Sequence, residues 1–232
     1  MTAQDSTRSS VKDAAPPDTT HWRLQHLGPA GKEVDSRIGG NMGLQERIHK
    51  NDSSARGALA ALRRGVSKSP GEVPEIWDLT HVEVPDGTSD EPTREELAVH
   101  CTMTLYALHQ QSQQKSMFKP GTGLGQAAHA LIGRDEENPS ARARFDALVT
   151  SATVTELRHH LRTFVSLLRA KEIPLDHAML ADDIVMFQRP NGARTVQLRW
   201  ARQYYSVPQD NTAAQSAAGN ETSTSTTTSS EN

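Results

Sequence analysis

VTELRHHLRTFVSLLR, residues 154–169, decides the fold class. Val154, Leu157, Leu161, Phe164, Val165 and Leu168 recur at intervals of three and four, the period of one helix face and not of a strand. Arg158, Arg162 and Arg169 fall on a second arc directly beside the first. A helix here buries one edge and carries guanidinium groups on the next, about one turn apart at Arg158 and Arg162. Such a stripe suits a phosphate track, and it equally suits side chains that cover the core margin with their aliphatic stems.

The neighbouring segments follow the same period. Ser53 or Ser54 caps a short helix that runs through ALAALRR and ends at Gly65, with Arg63 and Arg64 in a last turn where the helix dipole favours cations. Thr93 and Glu96 form a capping box after Pro92, and Leu97, Cys101, Leu105 and Leu108 continue on one face of what reads as the longest helix. Val34, Ile38, Leu44 and Ile48 share a face of a further helix, although Gly39 and Gly40 each cost about 1 kcal/mol relative to alanine in a helix interior. After Pro174 the run LDHAMLADDIVMFQR is apolar on most of its circumference and reads as a buried helix. In TVQLRWARQYY, Val196, Leu198 and Trp200 alternate as in a strand, while Val196, Trp200 and Tyr204 are spaced by four. With no partner strand elsewhere, helix is the simpler assignment. The fold class is therefore all-α, a compact helical bundle.

The ends are different. Residues 1–30 form an N-terminal arm dominated by Ser, Thr, Asp and Pro, and residues 206–232 form a tail ending in ETSTSTTTSSEN. Neither has the apolar content to bury a core, and both are expected to be disordered. Residues 31–205 are long enough for one sizeable core. The single Cys101 excludes an internal disulfide framework and suits a reducing compartment. No run of about 18 apolar residues and no apolar-centred leader is present, so no membrane contact and a cytoplasmic location are expected.

Charge is unevenly spread under a formal net charge of −3. The tail carries Asp210, Glu221 and Glu231 without a single Lys or Arg. Between residues 142 and 171, Arg142, Arg144, Arg158, Arg162, Arg169 and Lys171 outnumber Asp146 and Glu156. Acidic residues gather instead in WDLTHVEVPDGTSDEP and at Asp135, Glu136 and Glu137. A basic face with an acidic rim invites a polyanion.

Catalytic patterns are missing. FKPGTGLGQAAHAL, residues 118–131, places Gly121, Gly123 and Gly125 ahead of a helix, but the spacing is G-x-G-x-G, no strand precedes it and no Lys-Ser or Lys-Thr pair follows. A dinucleotide fingerprint and a P-loop are both excluded, leaving a permissive turn flanked by Lys115 and Lys119 whose backbone can approach phosphate closely. His159 and His160 are adjacent and point about 100 degrees apart on a helix, as do Asp182 and Asp183, and no H-E-x-x-H or H-x-x-x-H pair exists. No G-x-S-x-G elbow frames a nucleophile. No cofactor and no metal are expected.

The ordered set ALAALRRG, PGEVPEIWDLT, LAVHCTMTLYALHQQSQ, GTGLGQAAHAL, RARFDALVTSATVTELRHHLRTFVSLLRAKEIPLDHAMLADD and LRWARQYY resembles the CasB family, the small subunit of the type I-E CRISPR complex Cascade. The resemblance spans about residues 45–205. The family's glycine loop usually reads G-x-S-L-G, so Gly123 stands where it has serine. The resemblance implies an all-helical, non-catalytic subunit working as a pair of copies beside guide-RNA-bearing subunits. It also implies that surface cations hold the target and displaced DNA strands through their phosphates and stabilise the R-loop in antiviral defence. Strand exchange is nearly balanced in energy, so modest backbone contacts suffice to tip it.

The nucleic-acid candidates are Arg63, Arg64, Lys68, Lys115, Lys119, Arg142, Arg144, Arg158 and Arg162. Arg63 and Arg64 lie in the family's LRR piece, and Arg142 and Arg144 in the piece before Phe145. The others are chosen on charge. An aromatic content of 4% favours phosphate contact over base stacking. Two rival classes are a helical protein-interaction module without nucleic-acid binding and a small enzyme using His159, His160 or Asp183.

Overall fold

The computed structural model describes residues 25–133 and 137–206, and the tail assignments for 1–24 and 207–232, like Asp135 and Glu136, lie outside the described residues. The helices are α1 (Pro29–Gly39), α2 (Leu44–His49), α3 (Ser53–Arg64), α4 (Trp77–Thr80), α5 (Arg94–His109), α6 (Leu124–Ile132), α7 (Pro139–Val149), α8 (Val154–Ala170), α9 (His177–Phe187) and α10 (Gly192–Tyr205). Short 3-10 turns at Gly65–Ser67 and Pro74–Ile76 join α3 to α4. Extended pairing among the described residues is limited to one isolated bridge between Phe118 and Leu175. The expected all-helical class is what the chain adopts.

Helix α5 is the axis of the bundle, packed by α1, α3, α8 and α9. Its Thr93 capping box is present: the Thr93 hydroxyl accepts from the Glu96 N–H at 3.2 Å, and the Glu96 carboxylate accepts from the Thr93 N–H at 2.8 Å. The one-sided burial expected for it does not hold. Every residue from Ala98 to Ala107 is buried, whereas Leu97 and Leu108 are only partly so. His100, Thr104 and His109 find partners inside the protein, whereas the Thr102 and Tyr106 hydroxyls are buried without a hydrogen-bond partner among the described residues. Thr104 donates to the His100 carbonyl at 2.9 Å, and the His100 Nε2–H is shared between the carbonyls of Gly65 and Lys68, each 3.1 Å away. At 16 residues α5 is also shorter than α8, which has 17.

The amphipathic reading of α8 is met in full. Leu157, Leu161, Phe164, Val165 and Leu168 are completely buried and Val154 packs against the same cluster. In α10 the four-residue spacing wins over the alternation, since Val196, Trp200 and Tyr204 are buried while Leu198 is 50% exposed. Helix α9 is buried on most sides, as its composition requires.

Two local readings are corrected. The helix expected through Val34, Ile38, Leu44 and Ile48 is two helices, because the chain is extended at Gly40 and Gly43 and turns at Met42, whose φ is 56°. The cap of α3 is Asp52, not Ser53 or Ser54: its carboxylate accepts from the Ser54 N–H at 2.8 Å. Three good capping residues in a row leave the choice to tertiary context, and Arg47, 2.8 Å from the Asp52 carboxylate, supplies it.

Candidate nucleic-acid interface

The loop after α3 meets α8 at residues 90 apart in sequence. Arg158 on α8 donates to the Lys68 carbonyl at 2.7 Å, which pins the loop after α3 against α8. The packed side of α3 is Ala55, Leu59 and Leu62, which leaves Arg64 in the last turn exposed and Arg63 half-buried at the margin. Burial, and then the nearby positive charge of Arg169, hold the Arg63 guanidinium below the usual arginine range. Like charges placed close together without a carboxylate between them are relieved by an anion. Arg162 lies one turn beyond Arg158 and is exposed.

The remaining candidates divide by whether a carboxylate already holds them. Arg64 pairs with Glu75 at 3.4 Å, Lys68 with Glu72 at 3.6 Å, Lys115 with Glu172 at 2.7 Å and Arg142 with Asp146 at 2.9 Å. The Lys115 ammonium is raised in pKa by its hydrogen bond and attraction to Glu172. These are surface pairs and exchange readily for another anion. Arg63, Lys119, Arg144, Arg158 and Arg162 have no carboxylate partner among the described residues. Arg142 belongs to a different edge, with its guanidinium 5.9 Å from the Tyr204 ring centre, and is not joined to the Arg158–Lys68 contact.

The glycine loop is built for packing. Gly121, at a φ of +82°, sits in the left-handed region, where a side chain is disfavoured. The N–H groups that a phosphate would need are occupied: Gly121 donates to Asp176 at 2.7 Å, Gly123 to Gln126 at 2.9 Å and Gly125 to Gln203 at 3.0 Å. A Cβ on Gly125 would collide with the Trp200 carbonyl, so this glycine is what lets α6 lie against α10. Asp176 is the organiser, since its other oxygen caps α9 by accepting from Ala178 and Met179 at 3.0 Å each.

The side chains that would serve an enzyme are dispersed. His160 stands 3.8 Å from Glu156 and T-stacks with His159. Asp182 accepts from the Gly28 and Gly31 N–H groups at 2.8 Å, capping α1 from α9. Asp183 is buried against Arg199 and accepts from the Trp200 indole N–H at 2.7 Å. Burial lifts its pKa to about 6 against the opposing pull of Arg199 and Trp200. Among the described residues no three His, Cys, Asp or Glu side chains are grouped to hold a metal ion, and no helix is long and apolar enough to cross a membrane.

Sequence reasoning passed over α10. Arg194, Arg199 and Arg202 lie on a helix without one Asp or Glu, and Arg194 and Arg202 are exposed. The signal was legible in GARTVQLRWARQYY, a run with three arginines and no carboxylate.

The fold and this surface define an all-helical protein with uncompensated cations along one edge. Residues 58–205 match the family described as CRISPR-associated protein Cse2. A Cse2 protein of Thermus thermophilus is 32% identical over 148 residues, covering 64% of this chain and 78% of the relative. The crystal structure of CasB from Thermobifida fusca superposes with a TM-score of 0.65 at 32% identity, over 78% of this chain and 99% of that one. A chain of a CRISPR RNA-guided surveillance complex shares the fold, with a TM-score of 0.55 at 21% identity, over 75% of this chain and 92% of its own. This chain belongs to the Cse2 family of CRISPR-associated proteins.

Proposed function

We propose that the chain is a non-catalytic small subunit of a type I-E CRISPR surveillance complex, where it holds the target and displaced DNA strands by their phosphates and so stabilises the R-loop. Its partners in this reading are guide-RNA-bearing subunits and a second copy of itself, in the cytoplasm. The observation that carries the reading is that Arg158 fixes the Lys68 loop against α8 while Arg63, Arg158 and the exposed Arg162 have no carboxylate partner among the described residues. Membership of the Cse2 family and the fold shared with a chain of the surveillance complex support the setting.

Counterion release gives the test. Changing Arg63, Lys68 and Arg162 to alanine removes three phosphate partners and leaves the core of α3 and α8 intact. Binding to unrelated DNA sequences should weaken about equally, and the slope of log affinity against log salt should flatten by up to about two to three units. An unchanged slope in a folded variant moves the DNA path off this edge. A wild-type chain that assembles with its partners but binds no DNA at low salt is instead a protein-interaction module.

A further inference from the structure

The low aromatic content of the chain hides where its rings are. Phe145 on α7 and Tyr204 on α10 stack with centroids 5.8 Å apart and planes 18° from parallel, and both are buried. Tyr205 stands nearly perpendicular to Tyr204, at 5.1 Å and 76°, and is 77% exposed. On the opposite rim the Arg142 guanidinium lies 5.9 Å from the Tyr204 ring centre. These groups, with Val149 and Ala201, line a cleft of about 260 Å³ between α7 and α10. The cleft offers an open aromatic face at Tyr205 and space for a flat ring system, with the Arg142–Asp146 ion pair on its rim.

Its surroundings state the charge of the occupant. Leading to Tyr205 along the outer face of α10 are Arg194, Leu198 and Arg202, all exposed, and the helix holds no carboxylate. Arg194 and Arg202 are about 12 Å apart along the axis at about 1.5 Å per residue. Asp146, the acidic group at the rim, is engaged by Arg142 at 2.9 Å. A ring system that carries negative charge on a flexible backbone fits this sequence of contacts, and the unpaired nucleotides of a single strand are of that kind. In a duplex the flat faces of the bases are already covered by their neighbours, so the cleft discriminates against paired DNA.

We infer that the α7/α10 cleft is a base-stacking subsite for single-stranded nucleic acid, with Tyr205 as the platform and Arg194 and Arg202 as phosphate contacts. The inference rests on the nucleic-acid reading above and adds a second, chemically distinct contact to it. Stacking distinguishes a strand with bases from the same backbone without them.

The test uses the full chain with three probes: a short oligothymidylate, an abasic oligomer with the same number of phosphates, and a duplex of equal length. Tyr205→Ala should weaken oligothymidylate binding by roughly 5- to 150-fold, the range set by one base stacked on one aromatic ring. Binding of the abasic oligomer and the duplex should stay unchanged, as should the salt slope, because no phosphate contact is lost. Tyr205→Trp should restore oligothymidylate binding. Equal losses on all three probes, or no loss on any, overturn the subsite. A wild-type chain that binds with a full salt slope but ignores the presence of bases overturns the subsite and leaves the phosphate reading standing, whereas a chain that binds none of the probes overturns both. Loss of co-purifying complex subunits in Tyr205→Ala, with oligothymidylate binding intact, makes the face a protein contact and overturns the subsite as well.

Discussion

Gln203 occupies the space that a side chain at Gly123 would need. Its amide lies where a Cβ on residue 123 would fall, and its oxygen accepts from the Gly125 N–H at 3.0 Å. Gly123 is the N-cap of α6, and Gln126 reaches back to accept its N–H at 2.9 Å. A serine here, the residue usual in the resembling family, would complete the capping box from the other side. It would also displace Gln203.

The two residues are therefore coupled. Gly123→Ser alone should destabilise the fold by about 0.5–1 kcal/mol, since a gain of a few tenths from the cap does not offset a lost hydrogen bond of about 1 kcal/mol. In a Gln203→Ala background the same change should stabilise by a few tenths. Urea unfolding of the four proteins measures the difference, and equal effects in both backgrounds would show that the residues act independently.

Asp182 closes the start of the bundle from its far end. Asp182→Ala strips the acceptor from the Gly28 and Gly31 N–H groups and should cost about 1–3 kcal/mol. The same contact places the true edge of the packed region ahead of residue 31, because Leu27 and Ala30 are buried. A chain begun at residue 31 should lose about 2 kcal/mol or more relative to one begun at residue 25. Matching melting curves for the two would contradict this.

The buried histidines set an acid limit. The His177 Nε2–H donates to His109 Nδ1 at 3.3 Å, and the His109 Nε2–H donates to the Ile173 carbonyl at 3.0 Å, an arrangement that needs the accepting His109 ring neutral. Burial lowers His109 to about 4 and His177 well below its ordinary value, His177 further through its neighbour. Because the unfolded chain takes up these protons near pH 6.5 and the folded chain does not, the stabilisation is complete above that pH and is lost as pH falls towards about 4. Asp183, raised to about 6, and Asp182, also raised, work in the opposite direction over part of this range. The isolating measurement is therefore a difference: His177→Asn should flatten the pH dependence of stability between about pH 4.5 and 6 by up to about 1.4 kcal/mol per pH unit. An identical slope in the variant would mean that His177 is protonated in the fold.

Arg199, partly exposed, pairs with the buried Asp183, and the loss of that pair should depend on pH. Arg199→Leu leaves the Asp183 carboxylate with the Trp200 indole as its side-chain donor and drives its pKa above about 6. A folded pKa above the unfolded one withdraws stability as pH rises through it, so the damage should be greater at pH 8 than at pH 5, by about 1 kcal/mol or more, within a total of about 3. Chemical denaturation at the two pH values checks the sign.

How much of this was written in the sequence depends on which forces a residue answers to. Helix α8 was legible because Leu157, Leu161, Phe164 and Leu168 respond to one requirement, burial of one face. Helix α5 was less legible because His100 and His109 look solvent-facing until tertiary structure supplies carbonyls and a ring for them, and Thr104 is satisfied by carbonyls of its own helix. The break at Gly40 and Gly43 was signalled by its glycines, yet the apolar spacing on either side continued smoothly across it. At the interface, the presence of cations on α3 and α8 was legible, but the docking of the Lys68 carbonyl onto Arg158 is a tertiary fact. The ring cluster at the α7/α10 edge was invisible to an average over the whole composition, since Phe145 lies far from Tyr204 and Tyr205 in sequence.

The long reach of Asp182 to Gly28, 154 residues away, orders the birth of the protein. Helix α1 is made well before α9, and until α9 exists it lacks both the Asp182 acceptor and the helix surface it packs against there. Closure of that loop is slow compared with local helix formation. During synthesis α1 therefore has α5 but not yet α9 to pack against, and its full seating waits on residues 177–187.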